Sequence, residues 1–277
     1  MANTTMKWTG RYGVPYRGSK NRIAKEVLSC IPSGKRFVDL FAGGCAMTHC
    51  ALCSGRYEQF AVNDTHHFGN RLFHDAIRGL HRESWHYWME RDEFNERKSY
   101  DPYASLCWSF SNNGDDYIYG YDVADKMREK HYEYCRTREN PTINITRGLG
   151  LLALEKLNKL KVLDRTTWHN IDYSEYKYFD GDVVYCDPPY ESTRCEGYGH
   201  GREDFFESPR FWEWARSRDF PVFVSEYKAP ADFVPIYKTQ LAVMCGKNID
   251  TTHNIECLFV HERYAQQYQT DLFSWTV

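Results

Sequence analysis

A chain of 277 residues that is 42% hydrophobic can bury a large core, which excludes a disordered protein and favours one α/β domain, alone or with a smaller insertion. It has no run of eighteen apolar residues, and its start MANTTMKWTG lacks the apolar segment of a signal peptide, so we expect a soluble cytoplasmic protein with reduced cysteines and no membrane partner. The net charge of −3 gives no global sign of nucleic-acid binding, so any such partner must meet a local basic patch.

The first predicted helix covers residues 21–30, where apolar residues recur at helical spacing. Ser19 is its expected N-cap and Pro32 its expected stop. Tyr16 and Lys20 lie just ahead of this helix, and by residue type alone they fit surface positions.

A strand, a glycine turn and a second helix follow. The apolar run 36–41 leads into Ala42-Gly43-Gly44, and helical spacing resumes over 46–53. Glycines let a ligand approach the backbone, and a helix N-terminus offers unpaired N–H groups. Neither dinucleotide nor P-loop spacing is present, which argues against both of those sites. His49-Cys50-x-x-Cys53 lacks a second pair at zinc spacing, so no metal site is predicted.

The second predicted strand, residues 59–62, ends at Asn63-Asp64. Asp64 lies about twenty residues beyond the glycine turn, where an acid at a strand tip can accept hydrogen bonds from ribose hydroxyls. The alternative is that Asp64 caps a helix beginning near His66.

Residues 71–146 are rich in aromatic and charged side chains and contain no long strand pattern, which predicts a largely helical insertion. Its interleaved basic and aromatic residues could contact phosphates and bases. The acidic residues among them equally favour a solvated helical face.

The next stretch returns to core-like patterns. Residues 148–163 predict a leucine-rich core helix, and residues 168–173 predict the end of a short strand that carries Asp172.

The run Asp182-Val183-Val184-Tyr185-Cys186 predicts a buried strand, which Pro188 and Pro189 end because proline cannot donate to a ladder. Asp187 then lies at a carboxyl strand end, where open α/β sheets bind ligands. The Asp187 carboxylate and the Pro188 carbonyl are two acceptors beside the ring of Tyr190, a set that suits a planar amine. The alternative is a turn with an incidental tyrosine.

The rest of the chain predicts a polar, glycine-rich lid over 191–201, a helix over 209–218 and strands over 222–227, 236–244 and 255–260. Strands that alternate with helices and finish in a hairpin predict an α/β fold, with a mostly parallel sheet and an antiparallel edge.

Taken in order, five pieces of the chain resemble the DNA adenine-N6 methyltransferases that use S-adenosylmethionine. They are Tyr16 to Lys20, Asp39-Leu40-Phe41-Ala42-Gly43-Gly44, Asp64, Asp172 and Asp187-Pro188-Pro189-Tyr190. The resemblance is to the branch whose recognition region lies between the cofactor motif and the tetrapeptide. It implies a Rossmann-like methyltransferase fold, with a catalytic domain over 1–70 and 147–277 and an inserted target-recognition subdomain over 71–146.

The resemblance also implies roles for these residues. Catalysis would belong to Asp187, Pro188, Pro189 and Tyr190, while cofactor binding would belong to Tyr16, Lys20, Asp39, Phe41, Gly43, Asp64, Asp172 and Asp187. Asp39, Phe41 and Gly43 would shape the methionine end, Asp64 would take the ribose and Asp172 would meet the cofactor adenine. Cys45 stands where the family's turn has a glycine. This departure from the family pattern puts the affinity for the cofactor in question.

The predicted reaction is therefore methyl transfer from S-adenosylmethionine to adenine N6 in double-stranded DNA, after the base has been flipped out of the helix. Cytosine N4 and RNA bases are alternatives, because they can present a similar amine. A protein-glutamine methyltransferase is less expected, because that family has asparagine in place of Asp187. A regulator that binds cofactor or DNA without turnover is a further alternative, supported by the acidic balance and Cys45.

Overall fold

The computed structural model describes residues 5–189, 206–240 and 255–268. These residues form a seven-stranded sheet in the order β3-β2-β1-β4-β5-β7-β6. The strands are β1 (Gly34–Asp39), β2 (Tyr57–Asn63), β3 (Thr166–His169), β4 (Asp182–Cys186), β5 (Val222–Glu226), β6 (Phe233–Gln240) and β7 (Ile255–His261).

The described α-helices are α1 (Ala24–Ser29), α2 (Ala46–Ser54), α3 (Phe68–Ile77), α4 (Arg91–Arg97), α5 (Pro102–Cys107), α6 (Ala124–Thr137), α7 (Ile143–Leu154), α8 (Val162–Arg165), α9 (Ser208–Arg216) and α10 (Glu262–Ala265). Short 3-10 helices cover Lys20–Arg22, Ser84–His86, Phe110–Asn112, Glu155–Leu160 and Tyr173–Glu175. Within the described ranges, none of the helices combines the length and apolar character that a membrane span requires.

The sheet has a parallel centre and an antiparallel edge. Strand β1 pairs in parallel with β2 and β4, and β7 runs antiparallel between β5 and β6. In β4, Val183 and Tyr185 join one hydrophobic cluster while Val184 and Cys186 join another, as expected for a strand covered on both faces. The predicted α/β class, with its mostly parallel sheet and antiparallel edge hairpin, is confirmed.

Two predicted helices have different bounds in the structure. The first α-helix begins at Ala24 and follows a separate 3-10 turn, and Ser19 makes no capping hydrogen bond. The predicted core helix over 148–163 is instead α7, which ends at Leu154 and passes into a 3-10 helix. There Asn158 donates to the Ile77 carbonyl at 2.6 Å, a tertiary contact that helical periodicity does not reveal.

The regular structure between β2 and β3 is helical, with helices joined by turns and loops, apart from an isolated bridge between Ser109 and Tyr117. Trp88, Phe94 and Trp108 from this region belong to the same hydrophobic cluster as the strand residue Phe37. Helices α5 and α7 of this region contact α3, so the region continues the hydrophobic cluster on one face of the sheet, while α9 covers the other face. The boundaries at 71 and 146 stay a prediction.

Candidate active site at the carboxyl ends of the parallel strands

The carboxyl ends of β1, β2 and β4 lie side by side. Asp39 at the end of β1 lies opposite Val62 of β2 and Tyr185 of β4. The residues that follow these positions, including Asp64 and Asp187, are therefore carried to one edge of the sheet. Topology alone places the predicted acids at the edge where α/β sheets bind ligands.

Lys20 and Asp187 are in direct contact. The Lys20 ammonium donates to both carboxylate oxygens of Asp187, at 2.6 and 2.8 Å, and it also lies 3.6 Å from Glu256. Lys20 is only 7% exposed, so the surface position expected from residue type is wrong. A nearly buried lysine needs such carboxylate partners, because an unpaired buried charge is costly.

Asp39 is a buried carboxylate held by neutral donors. It accepts hydrogen bonds from the backbone N–H of Thr48 at 3.1 Å and from the Thr48 hydroxyl at 2.7 Å. Burial raises the pKa of Asp39 to about 7, and the negative charges of Asp187 and Asp64 push it in the same direction. Thr48 lies in the first turn of α2, and the sequence analysis gave it no role.

The glycine turn is a tight backbone cradle. Gly43 has a φ of +48°, and a Cβ on it would lie 2.7 Å from the Tyr16 ring. Gly69, at the start of α3, approaches even more closely, since a Cβ there would lie 1.9 Å from the Gly43 carbonyl oxygen. The turn is therefore bordered by Tyr16 on one side and by α3 on another. There is no room for side chains at Gly43 and Gly69.

Cys45 occupies the left-handed region, with φ 58° and ψ 31°. A glycine would adopt this conformation at little cost, which explains the glycine of the family pattern at this position. The Cys45 side chain is fully buried, and its thiol lies 3.4 Å from the Asn70 side-chain oxygen on α3. The fold thus accommodates a cysteine in place of the family's glycine by packing its side chain against α3.

Asp64 ties the end of β2 to the glycine turn. One carboxylate oxygen accepts from the Gly43 N–H at 2.7 Å, and the other accepts from the His66 N–H at 2.7 Å. Burial raises the pKa of Asp64. The expected helix begins at Phe68 with His67 at its N-cap, so Asp64 supports the turn before α3 and does not cap it. Its role toward a ribose stays a prediction.

Asn63 is a positioning residue that the sequence analysis missed. Its side-chain amide donates to the carbonyls of Leu40 and Ile171 at 3.1 and 3.0 Å, and its side-chain oxygen accepts from the Ile171 N–H at 3.1 Å. One buried amide thereby joins the segments that follow β1 and β3. A polar residue directly at the end of an apolar strand was the available signal.

Asp172 and Phe41 lie together on another side of the site. Asp172 caps a 3-10 turn by accepting from the Ser174 N–H at 2.9 Å, and its side chain is 36% exposed. The Phe41 ring packs against Tyr173 and Phe211, with centroids 5.4 and 5.5 Å away. Phe41 thus packs against Tyr173, the residue after Asp172. The resemblance had implied instead that Phe41 shapes the methionine end of the cofactor site together with Asp39 and Gly43.

Two further acids line this edge of the sheet. Glu226 ends β5 and Glu256 lies in β7, and both are buried. The pKa of Glu226 is raised to about 8, mainly by burial; the charges of Asp187 and Glu256 act in the same direction, and Lys20 opposes them. The sequence analysis missed both residues, because each is a single acid within a strand pattern.

The rest of the tetrapeptide is described only in part. Pro188 is buried and Pro189 is half-buried. Tyr190 and the predicted lid over 191–201 lie outside the described residues.

Comparisons with known proteins relate this chain to methyltransferases. The family model described as D12 class N6 adenine-specific DNA methyltransferase matches residues 16–147. This range contains Tyr16, Lys20, Asp39 and Asp64 and stops before Asp187. The retron Ec67 DNA adenine methylase of Escherichia coli is 24% identical over 242 residues, which cover 80% of this chain and 76% of that protein.

Two solved structures are distant neighbours. A putative methyltransferase, yhhF of Escherichia coli, aligns with a TM-score of 0.38 and 12% identity over 92% of this chain and 94% of that chain. The rRNA methyltransferase aviRa of Streptomyces viridochromogenes aligns with a TM-score of 0.40 and 12% identity over 92% of this chain and 89% of that chain. The fold assignment depends on the observed sheet order and not on these two alignments.

Proposed function

We propose that this chain, which resembles the D12 class N6 adenine-specific DNA methyltransferases, takes the methyl group from S-adenosylmethionine and transfers it to a flipped-out adenine. Methylation of adenine N6 in DNA follows from the family match and the relative that is a DNA adenine methylase. The proposal adds the methyl donor, the base flipping and the residues that act. Its main support is the position of Asp187 beside Lys20, at the sheet edge that also carries the glycine turn.

The residues around the glycine turn fit S-adenosylmethionine. The Oδ1 atom of Asp39 is buried and accepts no hydrogen bond from any of the described residues, so it is an acceptor available to an ammonium group. The close backbone packing at Gly43 would shape the pocket beside it, and Asp64 retains lone pairs that ribose hydroxyls could use. When bound, the cofactor supplies an electrophilic methyl group on a sulfonium.

Asp187 would activate the target amine. An exocyclic amine on adenine is a poor nucleophile because its lone pair is delocalised into the ring. If Asp187 and the Pro188 carbonyl accept its two N–H bonds, the lone pair is freed to point at the methyl group. The hydrogen bond to the carboxylate strengthens as positive charge grows on the nitrogen, which stabilises the transition state. Tyr190 would stack on the base.

The helical region between β2 and β3 is proposed to meet the DNA. Extrusion of the base costs a few kcal/mol of unstacking, which contacts to the flipped base and to the backbone must offset. Arg91 stacks on the exposed Tyr121 ring at 3.8 Å, so this region presents a cation and an aromatic ring together. Phosphate contacts of this kind would make DNA binding weaken as salt concentration rises.

The proposal is tested by incubating the protein with S-adenosylmethionine labelled in the methyl group and with DNA duplexes covering all short sequence contexts. Digestion to nucleosides should then give labelled N6-methyladenine. Label on cytosine or on RNA alone would establish one of the alternative substrates. Binding of S-adenosylmethionine in calorimetry without transfer to any nucleic acid would establish a regulator and overturn the enzyme.

A further inference from the structure

A buried charge network joins the proposed catalytic carboxylate to the antiparallel edge of the sheet. Lys20 bridges two acids, Asp187 at the end of β4 and Glu256 in β7. The Lys20 side chain is 7% exposed and that of Glu256 only 2%. Ions removed from water to this degree are retained only when their geometry compensates the lost hydration. The position of Glu256 beside the lysine is therefore part of the site.

The contact between Lys20 and Asp187 conflicts with the arrival of the target amine. The ammonium already donates to both oxygens of Asp187, which are the atoms proposed to accept the amine. The amine also gains positive charge during methyl transfer, so an ammonium held at the same carboxylate repels it in a site of low dielectric. Asp187 acts at full strength only if Lys20 moves away.

Glu256 lies where it can receive the displaced lysine. Its Oε1 atom is 3.6 Å from the Lys20 nitrogen, so a shift of about 1 Å gives a close ion pair. A lysine side chain can make such a shift, because its ammonium ends a flexible four-carbon chain. Among the described residues, the carboxylates within ion-pair distance of the lysine are those of Asp187 and Glu256.

We propose that Glu256 is a positioning residue that draws the Lys20 ammonium off Asp187 when the target amine enters. This inference depends on the proposed role of Asp187. Glu256 touches neither the amine nor the cofactor in this scheme, and it acts through Lys20 alone. Lys20 then has a carboxylate partner both before and during the reaction.

The first test compares E256Q with the wild type and with E58Q, which changes an exposed glutamate of β2. We expect E256Q to lower kcat at least tenfold, because the lysine stays on Asp187, with the Kd for S-adenosylmethionine within twofold of the wild type. E58Q should match the wild type in both. A wild-type kcat in E256Q would overturn the proposal.

The second test is the double variant K20M/E256Q. Without the lysine, nothing needs to be drawn off Asp187, so the double variant should have a higher kcat than E256Q alone. A merely structural role for Glu256 predicts that removal of Lys20 changes the stability of the variant without raising the kcat of the folded enzyme. A double variant that is no more active than E256Q would contradict the inference.

Two further variants keep the tests decisive. If E256Q does not bind S-adenosylmethionine, E256D replaces it, since this variant keeps the charge one methylene further from Lys20. Its kcat should then fall at least threefold with the cofactor Kd preserved, and an unchanged kcat would refute the role. D187N is measured alongside. An active D187N would refute the proposed function, whereas an inactive D187N with a fully active Glu256 variant would refute this inference alone.

Discussion

The ends of β1 and β4 form an instructive comparison, because two neighbouring parallel strands each lead into an aspartate with different partners. Asp39 is buried and is held by the amide and hydroxyl of Thr48. Asp187 is held by the ammonium of Lys20. Burial raises the pKa of Asp39 to about 7, although the hydrogen bonds from Thr48 lower it. Asp187 instead forms an ion pair with Lys20.

The difference matches the proposed roles, with cofactor binding at Asp39 and chemistry at Asp187. A carboxyl group anchored to the first turn of α2 is fixed in direction, which suits a group that orients a cofactor. A carboxylate held by the ammonium of a lysine can exchange that partner for a substrate, because the lysine side chain has four flexible carbons. The following four predictions test this division.

The largest effect is expected for D187N. Asparagine keeps the shape of Asp187 but loses the negative charge that would stabilise the developing cation, so kcat should fall about 10²–10³-fold. The Kd for S-adenosylmethionine, measured by calorimetry, should change little. D180N, which alters an exposed aspartate before the opposite end of β4, should retain full activity in the same single-turnover assay. Comparable activity in D187N and D180N would remove the distinction between the two strand ends.

The next largest effect is expected for G69A, which tests the tight backbone cradle at the glycine turn after β1. The new Cβ would lie 1.9 Å from the Gly43 carbonyl oxygen, a backbone atom that no rotamer change can move. We expect the free energy of unfolding to fall by about 1–3 kcal/mol and cofactor binding to weaken. G150A is the control, because a Cβ there meets nothing within 4 Å and helix propensity alone should leave stability equal or higher. Equal denaturant midpoints for the two variants would contradict the close packing of Gly69 against the Gly43 carbonyl.

A pH effect is expected to distinguish Asp39. Its pKa is raised from 3.8 to about 7 on folding, so its protonated form stabilises the fold below pH 4, and this contribution is lost as pH rises through 7. D39N cannot titrate. Its Tm should therefore fall less between pH 5 and pH 8 than that of the wild type, by about 2–4 °C if the contribution is 1 kcal/mol. Parallel Tm curves in differential scanning fluorimetry would show that Asp39 is ionised throughout.

The smallest effect is expected for C45G. Glycine relieves the cost of the left-handed backbone at Cys45, but it loses a buried side chain and adds freedom to the unfolded chain. These contributions oppose one another, so the free energy of unfolding should stay within about 1 kcal/mol of the wild type. The Kd for S-adenosylmethionine should be unchanged, because the side chain faces α3. A tenfold change in that Kd would show that Cys45 shapes the pocket.

Local sequence patterns predicted several elements closely. The predicted strand 182–186 has the bounds of β4, and the predicted helix 46–53 differs from α2 by one residue. Both begin or end at strong local signals, the two prolines after Asp187 and the glycines before Ala46. The leucine-rich helix was misplaced, because α7 ends where Asn158 contacts α3, and no local rule describes that contact.

The sequence by itself determined the alternation of strands and helices, the order of the motifs and the placement of Asp187 at a strand end, because periodicity, glycines and prolines act over short distances. Only the tertiary structure decided the partners of the acids: Thr48 for Asp39, Gly43 for Asp64, and Lys20 for both Asp187 and Glu256. The physical reason is that strand order and the antiparallel direction of β7 bring residues far apart in the sequence together, such as Lys20 and Glu256. Single charged residues carry no local pattern that reveals such a neighbour.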